Sequence, residues 1–363
     1  MKKYRVGIIG ATGMVGQRLI CLLHDHPWFD IRVVAASRKS AGQSYQEAVE
    51  NRWLMEEALP EHVKALPVLD AEQKEEIAQQ VDFIFCAVSL NRDQTREMEE
   101  AFARLEVPVM SCNSACRMLP DVPMLIPEIN PEHAQVIPAQ RSRLGTKNGF
   151  IAVKPNCSIQ SYVPALTPLL DFEPTAITAC TYQAVSGAGR TLDTWEEMRG
   201  NVIPYIAGEE EKSEQEPLKI WGRLSEDKAE IQVTACPVIS AQCIRVPVED
   251  GHLAAVSVKF QRKPSKQEIL DRWAAYKTLP QQLMLPSAPK PFLQYLEGND
   301  RPQPKLDALA GDGMAVAIGR LREDPVMDWR FVCLSHNTLR GAAGGSVLSA
   351  EYLCAQGYIT HRE

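Results

Sequence analysis

The chain has 363 residues, more than one hydrophobic core usually organises, so two domains are expected, each able to bury a core of its own. Apolar residues make up 45% and charged residues 23%, the balance of an ordinary globular protein rather than a disordered or fibrous one. A formal net charge of −7 and a pI near 5.7 argue against a nucleic-acid surface or an anionic membrane as partner, since both recruit clustered Lys and Arg, and favour a small polar metabolite.

In chain order, Met1-Lys2-Lys3-Tyr4-Arg5 leads into a short apolar run that lacks the length and cleavage pattern of a signal peptide. No later run approaches the roughly 18 apolar residues of a membrane-spanning helix, so a cytoplasmic protein is expected. Tyr4 to Ile9 reads as a strand, and Met14 to Leu23 has helical spacing of apolar residues. Strand candidates follow at Ile31 to Ala36, Val81 to Val88, Val107 to Met110 and Phe150 to Val153, with helix-like stretches between several of them. That alternation predicts an α/β fold with a parallel, doubly wound sheet. Beyond Cys157, strand-like runs at Ile177 to Val185, Glu230 to Thr234, Cys243 to Val248 and Leu253 to Phe260 have fewer helical crossovers, which predicts a mixed or antiparallel sheet in a second domain. The acid-dense stretch Glu209 to Glu216 reads as a solvated loop or helix end. Gly341 to Gln356 has helical periodicity and is expected to pack back on the first domain.

Ten cysteines scattered without a secretory signal read as reduced thiols, most of them small buried hydrophobes. Cys112 and Cys116 lack a second Cys or His pair at zinc-binding spacing, so no metal is expected. His24 and His26, just before Pro27, are expected to cap a helix end or face solvent.

Gly10-Ala11-Thr12-Gly13-Met14-Val15-Gly16 follows the first strand and opens the first helix. Glycines there permit a tight turn and let a pyrophosphate approach the backbone, while the free amides and dipole of the helix start favour the anion. An NAD-preferring site carries an acid near the end of the second strand; here Ser37, Arg38, Lys39 and Ser40 offer hydroxyls and cations suited to a 2′-phosphate, which favours NADP.

Cys157 follows Lys154-Pro155-Asn156 and stands where a strand ends and a helix begins, a place that lowers a thiol pKa and favours the nucleophilic thiolate. The segment Arg245-Val246-Pro247-Val248-Glu249-Asp250-Gly251-His252 supplies a guanidinium able to hold a carboxylate and an imidazole able to take and return protons at neutral pH. The sequence alone does not bring His252 to Cys157.

These motifs, together with Thr181 to Gly189, Asp121 to Asn130 and His336 to Gly345, occur in one order over nearly the whole chain, and they resemble the aspartate-semialdehyde dehydrogenase family, most closely its archaeal and fungal branch. The resemblance implies that Cys157 attacks the acyl phosphate of L-aspartyl 4-phosphate and that NADPH reduces the resulting thioester to L-aspartate 4-semialdehyde, on the way to lysine, threonine and methionine. It implies His252 as acid/base, Gln183 to orient the substrate, Arg245 on its carboxylate and Arg117 on its phosphate. A family Glu-x-x-Lys pair for the substrate amine and phosphate matches Glu216 and Lys219 best, although Glu209 and Lys212 share the spacing. Asn156 and the Cys157 N–H are candidate oxyanion donors. Ser186, Gly187 and Asn337 are expected on the nicotinamide side, and Ser89 in the cofactor cleft. The fold implied is an N-terminal Rossmann dinucleotide-binding domain over 1–156, joined by a C-terminal helix in 340–363, and a mixed α/β catalytic and dimerisation domain over 157–339, in a homodimer or homotetramer. Malonyl-CoA reductase, which would use the same cysteine and base, is an alternative. A redox-sensing NADP-binding regulator is a second, but it would need only the thiol.

Overall fold

The computed structural model describes residues 2–362. Its first sheet is parallel throughout: β1 (Tyr4–Ile9), β2 (Phe29–Ala36), β3 (Val68–Asp70), β4 (Phe83–Cys86), β5 (Val109–Ser111) and β6 (Ile151–Val153) lie in the order β3-β2-β1-β4-β5-β6. The chain winds outward in both directions from β1 and β4, so a crevice opens at their carboxyl ends, the place where such sheets bind dinucleotides. All four residues of β4 are buried, as expected of a strand covered on both faces.

The second sheet holds β7 (Pro174–Gln183), β10 (Val238–Arg245), β11 (His252–Phe260), β12 (Leu293–Leu296), β13 (Val316–Glu323) and β14 (Trp329–Ser335), in the order β10-β7-β11-β14-β13-β12. Two pairs, β10 with β7 and β12 with β13, are parallel and the rest antiparallel. Along β7 the side chains of Ile177, Ala179, Thr181 and Gln183 are buried while Thr178 and Tyr182 are exposed. In β10, Val238, Ser240 and Gln242 continue that outward row, so one edge of this sheet presents a face to its surroundings. The expected strand Glu230 to Thr234 shrinks to β9 (Ile231–Gln232), which pairs only with β8 (Arg223–Leu224) outside the main sheet. Strands β3, β8, β12, β13 and β14 were not anticipated from the sequence, and the expected strand Cys243 to Val248 overlaps β10 only at Cys243–Arg245.

Four helices bear on the site: α1 (Met14–Leu23), α2 (Ile159–Leu166), α3 (Glu209–Ile220) and α4 (Ala343–Ala355). Helix α3 corrects the reading of 209–216 as a solvated loop or helix end. Gly208, in the left-handed region at φ 69°, turns the chain into the helix, and Glu209, Glu210 and Glu211 sit where the positive end of the dipole favours acids. Its buried residues are Glu209, Ser213, Glu216, Pro217, Lys219 and Ile220, a helical period written mostly in polar residues and therefore invisible to a search for apolar spacing.

Helix α4 returns to the first sheet and packs on α1. Every residue from Ala343 to Cys354 is buried, and Val347, Leu348 and Leu353 join Val6, Ile8, Leu19 and Phe29 in one core. Full burial of each such side chain stabilises by about 1.5–3 kcal/mol. Its one carboxylate, Glu351, accepts hydrogen bonds from Ser287 N at 3.1 Å and from His26 Nε2 at 2.9 Å. His26 is therefore buried and stacked on Phe29, not a cap or a solvated side chain; Trp28 N donates to its Nδ1, which leaves the proton on Nε2 for Glu351.

The segment leading into α4 is held by a buried ion pair. Arg340 donates to both oxygens of Glu128, at 3.1 Å through Nη1, and to the Met314 carbonyl through Nε at 2.8 Å. The guanidinium also lies over the Phe292 ring. Removing one partner of such a pair strands a buried charge, so Glu128→Gln is expected to destabilise the protein by about 3–5 kcal/mol. Chemical denaturation would register this as a lower midpoint, and an unchanged midpoint would show the pair to be dispensable.

Candidate active site

The chain leaves β1 through Gly10, whose φ of +87° and whose Cβ position, 2.3 Å from the Ala87 carbonyl oxygen, admit only glycine. Gly13 is different. It precedes α1 with an ordinary φ of −82°, and a Cβ there would meet nothing nearer than Gly10 O at 3.6 Å. The fold itself does not require glycine at 13, so the bare backbone keeps space for a group from outside. No side chain caps the first amides of α1, where Met14 and Val15 lie partly exposed and Gly16 is buried against the turn.

In front of this turn is a cavity of about 610 Å³ whose walls include Gly10, Thr12, Gly13, Ser37, Arg38 and Ser89. Arg38 stands at the rim, 84% exposed, with Nε 3.0 Å from Asp70 Oδ2. An anion-accepting helix start, bare glycine backbone and a rim cation fit a dinucleotide with a 2′-phosphate. Ser40 does not belong to this wall: its side chain is buried and accepts from Arg52 Nη2 at 3.2 Å, because the turn closed by Ser40 N donating to Ser37 O points it inward.

Cys157 lies between β6 and α2, as its position in the sequence suggested, and its sulfur is 3.5 Å from His252 Nε2. His252 opens β11, paired with Ser335 of β14, so the sheet register brings together residues 95 positions apart. The Ala184 N–H donates to His252 Nδ1 at 3.1 Å. A backbone amide can only donate, so Nδ1 must be the acceptor and Nε2 carries the proton, directed at the sulfur. Burial, then the charges of Arg245, His336 and Lys154, push the imidazole pKa well below its ordinary value, so the ring rests neutral. Burial and Glu209 push the Cys157 thiol up, against the opposing pull of Lys154, Arg117 and Arg245.

Arg245 ends β10 and is 5% exposed, with Nη1 donating to the Ala184 carbonyl at 2.6 Å. Gly187 lies over both groups: a Cβ there would be 2.9 Å from Arg245 Nη1 and 3.0 Å from His252 Nε2. Ser186 and Asn337 brace the turn before His252, since Asn337 Nδ2 donates to Ser186 Oγ, Ser186 Oγ to Asp250, and Gly251 N to Asn337 Oδ1.

The two Glu-x-x-Lys pairs of α3 separate clearly. Glu209 accepts from Asn156 Nδ2 at 3.0 Å, from Gln183 Nε2 at 3.4 Å and from Lys212 Nζ at 2.9 Å. Burial acts to raise its pKa, but Lys212 and the two amides hold the carboxyl below its ordinary value. Glu216 sits deeper and organises the floor: it accepts from Arg117 Nη1 at 2.8 Å and from the Asn156 N–H at 2.6 Å. Lys219 turns away. Its Nζ donates to the carbonyls of Arg117, Leu119 and Val122, which uses all three hydrogens, and burial pushes its pKa down to about 7. The expectation that Lys219 holds a phosphate is thus corrected: no donor is left for one, whereas Lys212 is about one-third exposed beside Glu209. Asn156 is likewise engaged, its amide nitrogen directed at both oxygens of Glu209.

Sequence reasoning passed over Lys154, which is buried close to the nucleophile. The signal was present: a lysine directly after the apolar β6 and three residues before Cys157 has no solvated face to occupy.

The sequence pattern of the semialdehyde dehydrogenase NAD binding domain matches residues 5–137, and that of the semialdehyde dehydrogenase dimerisation domain matches residues 166–340. An aspartate-semialdehyde dehydrogenase of Archaeoglobus fulgidus is 41% identical over 98% of this chain and 100% of its own length. The Saccharomyces cerevisiae enzyme of the same name is 40% identical over 97% and 98%. A crystal structure of aspartate-semialdehyde dehydrogenase with NADP from Candida albicans superposes with a TM-score of 0.87 at 36% identity, covering 99% of this chain and 100% of that one. With relatives this similar over their full length, and with both domains of the fold present in order, the chain belongs to the aspartate-semialdehyde dehydrogenase family.

Proposed function

We propose that the chain converts L-aspartyl 4-phosphate to L-aspartate 4-semialdehyde with NADPH, through a thioester on Cys157. The observation that carries this reading is the 3.5 Å pairing of Cys157 with His252 inside a frame of charges that matches the substrate group by group. Arg245 faces the carboxylate, Glu209 the ammonium, and Lys212 with Arg117 the phosphate. The Cys157 sulfur attacks the acyl carbon, a C–S bond forms and phosphate leaves. The Gly10–Gly16 turn and Arg38 would hold NADPH, which when bound would supply the hydride for reduction of the thioester. His252 directs Nε2–H at the reacting centre and serves as the proton donor and acceptor when the tetrahedral adduct collapses and the C–S bond breaks. Gln183 orients the substrate through its link to Glu209. With the Asn156 amide turned to Glu209, the Cys157 N–H is the donor assigned to the developing oxyanion. Ser186, Gly187 and Asn337 shape the side on which the nicotinamide lies.

The product of this reaction leads to lysine, threonine and methionine. The domains are assigned as 1–156 with 340–363, and 157–339; Met1 and Glu363 lie outside the described residues. The outward face of β7 and β10 supports self-association as a homodimer or homotetramer. Among the described residues no helix is long and apolar enough to cross a membrane. All ten cysteines are free, which supports a cytoplasmic location.

The test is NADP reduction by purified protein given aspartate semialdehyde and phosphate, the reverse direction. No turnover there, with turnover of malonyl-CoA and NADPH, would transfer the reading to malonyl-CoA reduction. Within the same assay, Lys212→Ala is expected to raise the KM for phosphate by roughly 10–100-fold, the worth of one charge-assisted hydrogen bond. Lys219→Met is expected to act on stability instead; the opposite pattern would restore Lys219 as the phosphate ligand.

A further inference from the structure

A thiolate at Cys157 needs positive charge nearby, and His252 is poorly placed to supply it. Its Nδ1 accepts the Ala184 N–H, and its surroundings keep the ring neutral. The other charged groups facing the sulfur are Glu209, which opposes a thiolate, and Lys154, Arg117 and Arg245, which favour one. Arg117 is paired with Glu216 at 2.8 Å, and Arg245 is the residue assigned to the substrate carboxylate. Lys154 has neither commitment. It is 5% exposed and, among the described residues, pairs with no carboxylate; its Nζ donates to the carbonyls of Pro155, at 2.9 Å, and Gly341.

Those two carbonyls belong to the segments between which the nucleophile sits. Pro155 precedes Asn156 and Cys157 in one loop. Gly341 approaches from the start of the return to the first sheet, so close that a Cβ there would lie 2.9 Å from the Cys157 Cβ. Burial, then the charge of Arg117, pushes the Lys154 pKa below its ordinary value, while the facing groups Cys157, Cys112 and Glu216 act the other way and favour the ammonium.

We propose that Lys154 is a positioning residue for the nucleophile: its ammonium clamps the Gly341 segment onto the Cys157 loop and presents the uncommitted positive charge that favours the thiolate. This rests on the reading of Cys157 as nucleophile and adds the device that activates it.

The experiment follows alkylation of Cys157 by iodoacetamide across pH in the full-length protein, read by mass spectrometry of the peptide that contains it. Lys154→Gln keeps a side-chain N–H for the carbonyls and removes the charge; Lys154→Arg keeps the charge. In Lys154→Gln the alkylation profile is expected to move to higher pH by about one pH unit, with modification near neutral pH roughly tenfold slower. The arginine variant is expected to return it toward wild type. NADP binding checks that each variant is folded, and Lys154→Met serves in place of any neutral variant that is not. A neutral variant with the wild-type profile, or an arginine variant that behaves like the neutral one, would overturn the proposal. Activity in Cys157→Ser would instead overturn the nucleophile reading, while the alkylation comparison would stand as measured.

Discussion

Cys157→Ser is expected to lose turnover by roughly 10⁴-fold or more while NADP binding is retained. A serine hydroxyl is far less acidic than a thiol, and the surroundings of residue 157 already oppose an anion: burial and Glu209 both push the pKa of the group up. Three cations balance that for sulfur and would not for oxygen. The cofactor cleft at Gly10 to Gly16 is built from different residues, so its affinity should change little. Steady-state NADP reduction and a binding titration on one preparation separate the two effects. A serine variant that turns over would remove Cys157 from the mechanism, whatever its affinity for NADP.

For His252→Gln a fall in kcat of roughly 10²–10⁴-fold is expected, with modest change in the KM of either substrate. Glutamine can donate a hydrogen bond toward the sulfur, but it cannot carry a proton through the cycle. The pH dependence gives a second check. Burial and neighbouring cations push the His252 pKa well down, whereas the Cys157 thiol is pushed up, so activity should fall with decreasing pH because the thiolate is protonated. That loss belongs to Cys157 and should persist in the glutamine variant. An acid limb that disappears with the imidazole would assign it to His252 instead, and an unchanged rate would take His252 out of the chemistry.

Much of the first domain was legible in advance because its structure is local. Tyr4 to Ile9 and Met14 to Leu23 fall where apolar spacing placed them, and the glycine turn between them is dictated by backbone sterics at Gly10. Helix α3 was not legible in the same way. Its inward face carries Glu209, Ser213 and Glu216, whose partners lie on other segments, so its pattern looks solvated until those partners are known. Ser40 and His26 were misplaced for a related reason: a polar side chain faces inward only when a distant group, here Arg52 or Glu351, is present to receive it.

What the chain settled by sequence alone was the list of reactive parts: a nucleotide turn, a thiol at a helix start, a guanidinium and an imidazole at the two ends of one loop. These are properties of residue type and near neighbours, which propensity and sterics express over a few positions. What only the tertiary structure decided was which parts meet and which remain free. Pairing of β11 with β14 and β7 carries His252 to within 3.5 Å of Cys157, and burial among carbonyls occupies Lys219 while leaving Lys212 open beside Glu209. Contact and desolvation depend on packing between segments far apart in the chain, and spacing along one chain carries no record of that.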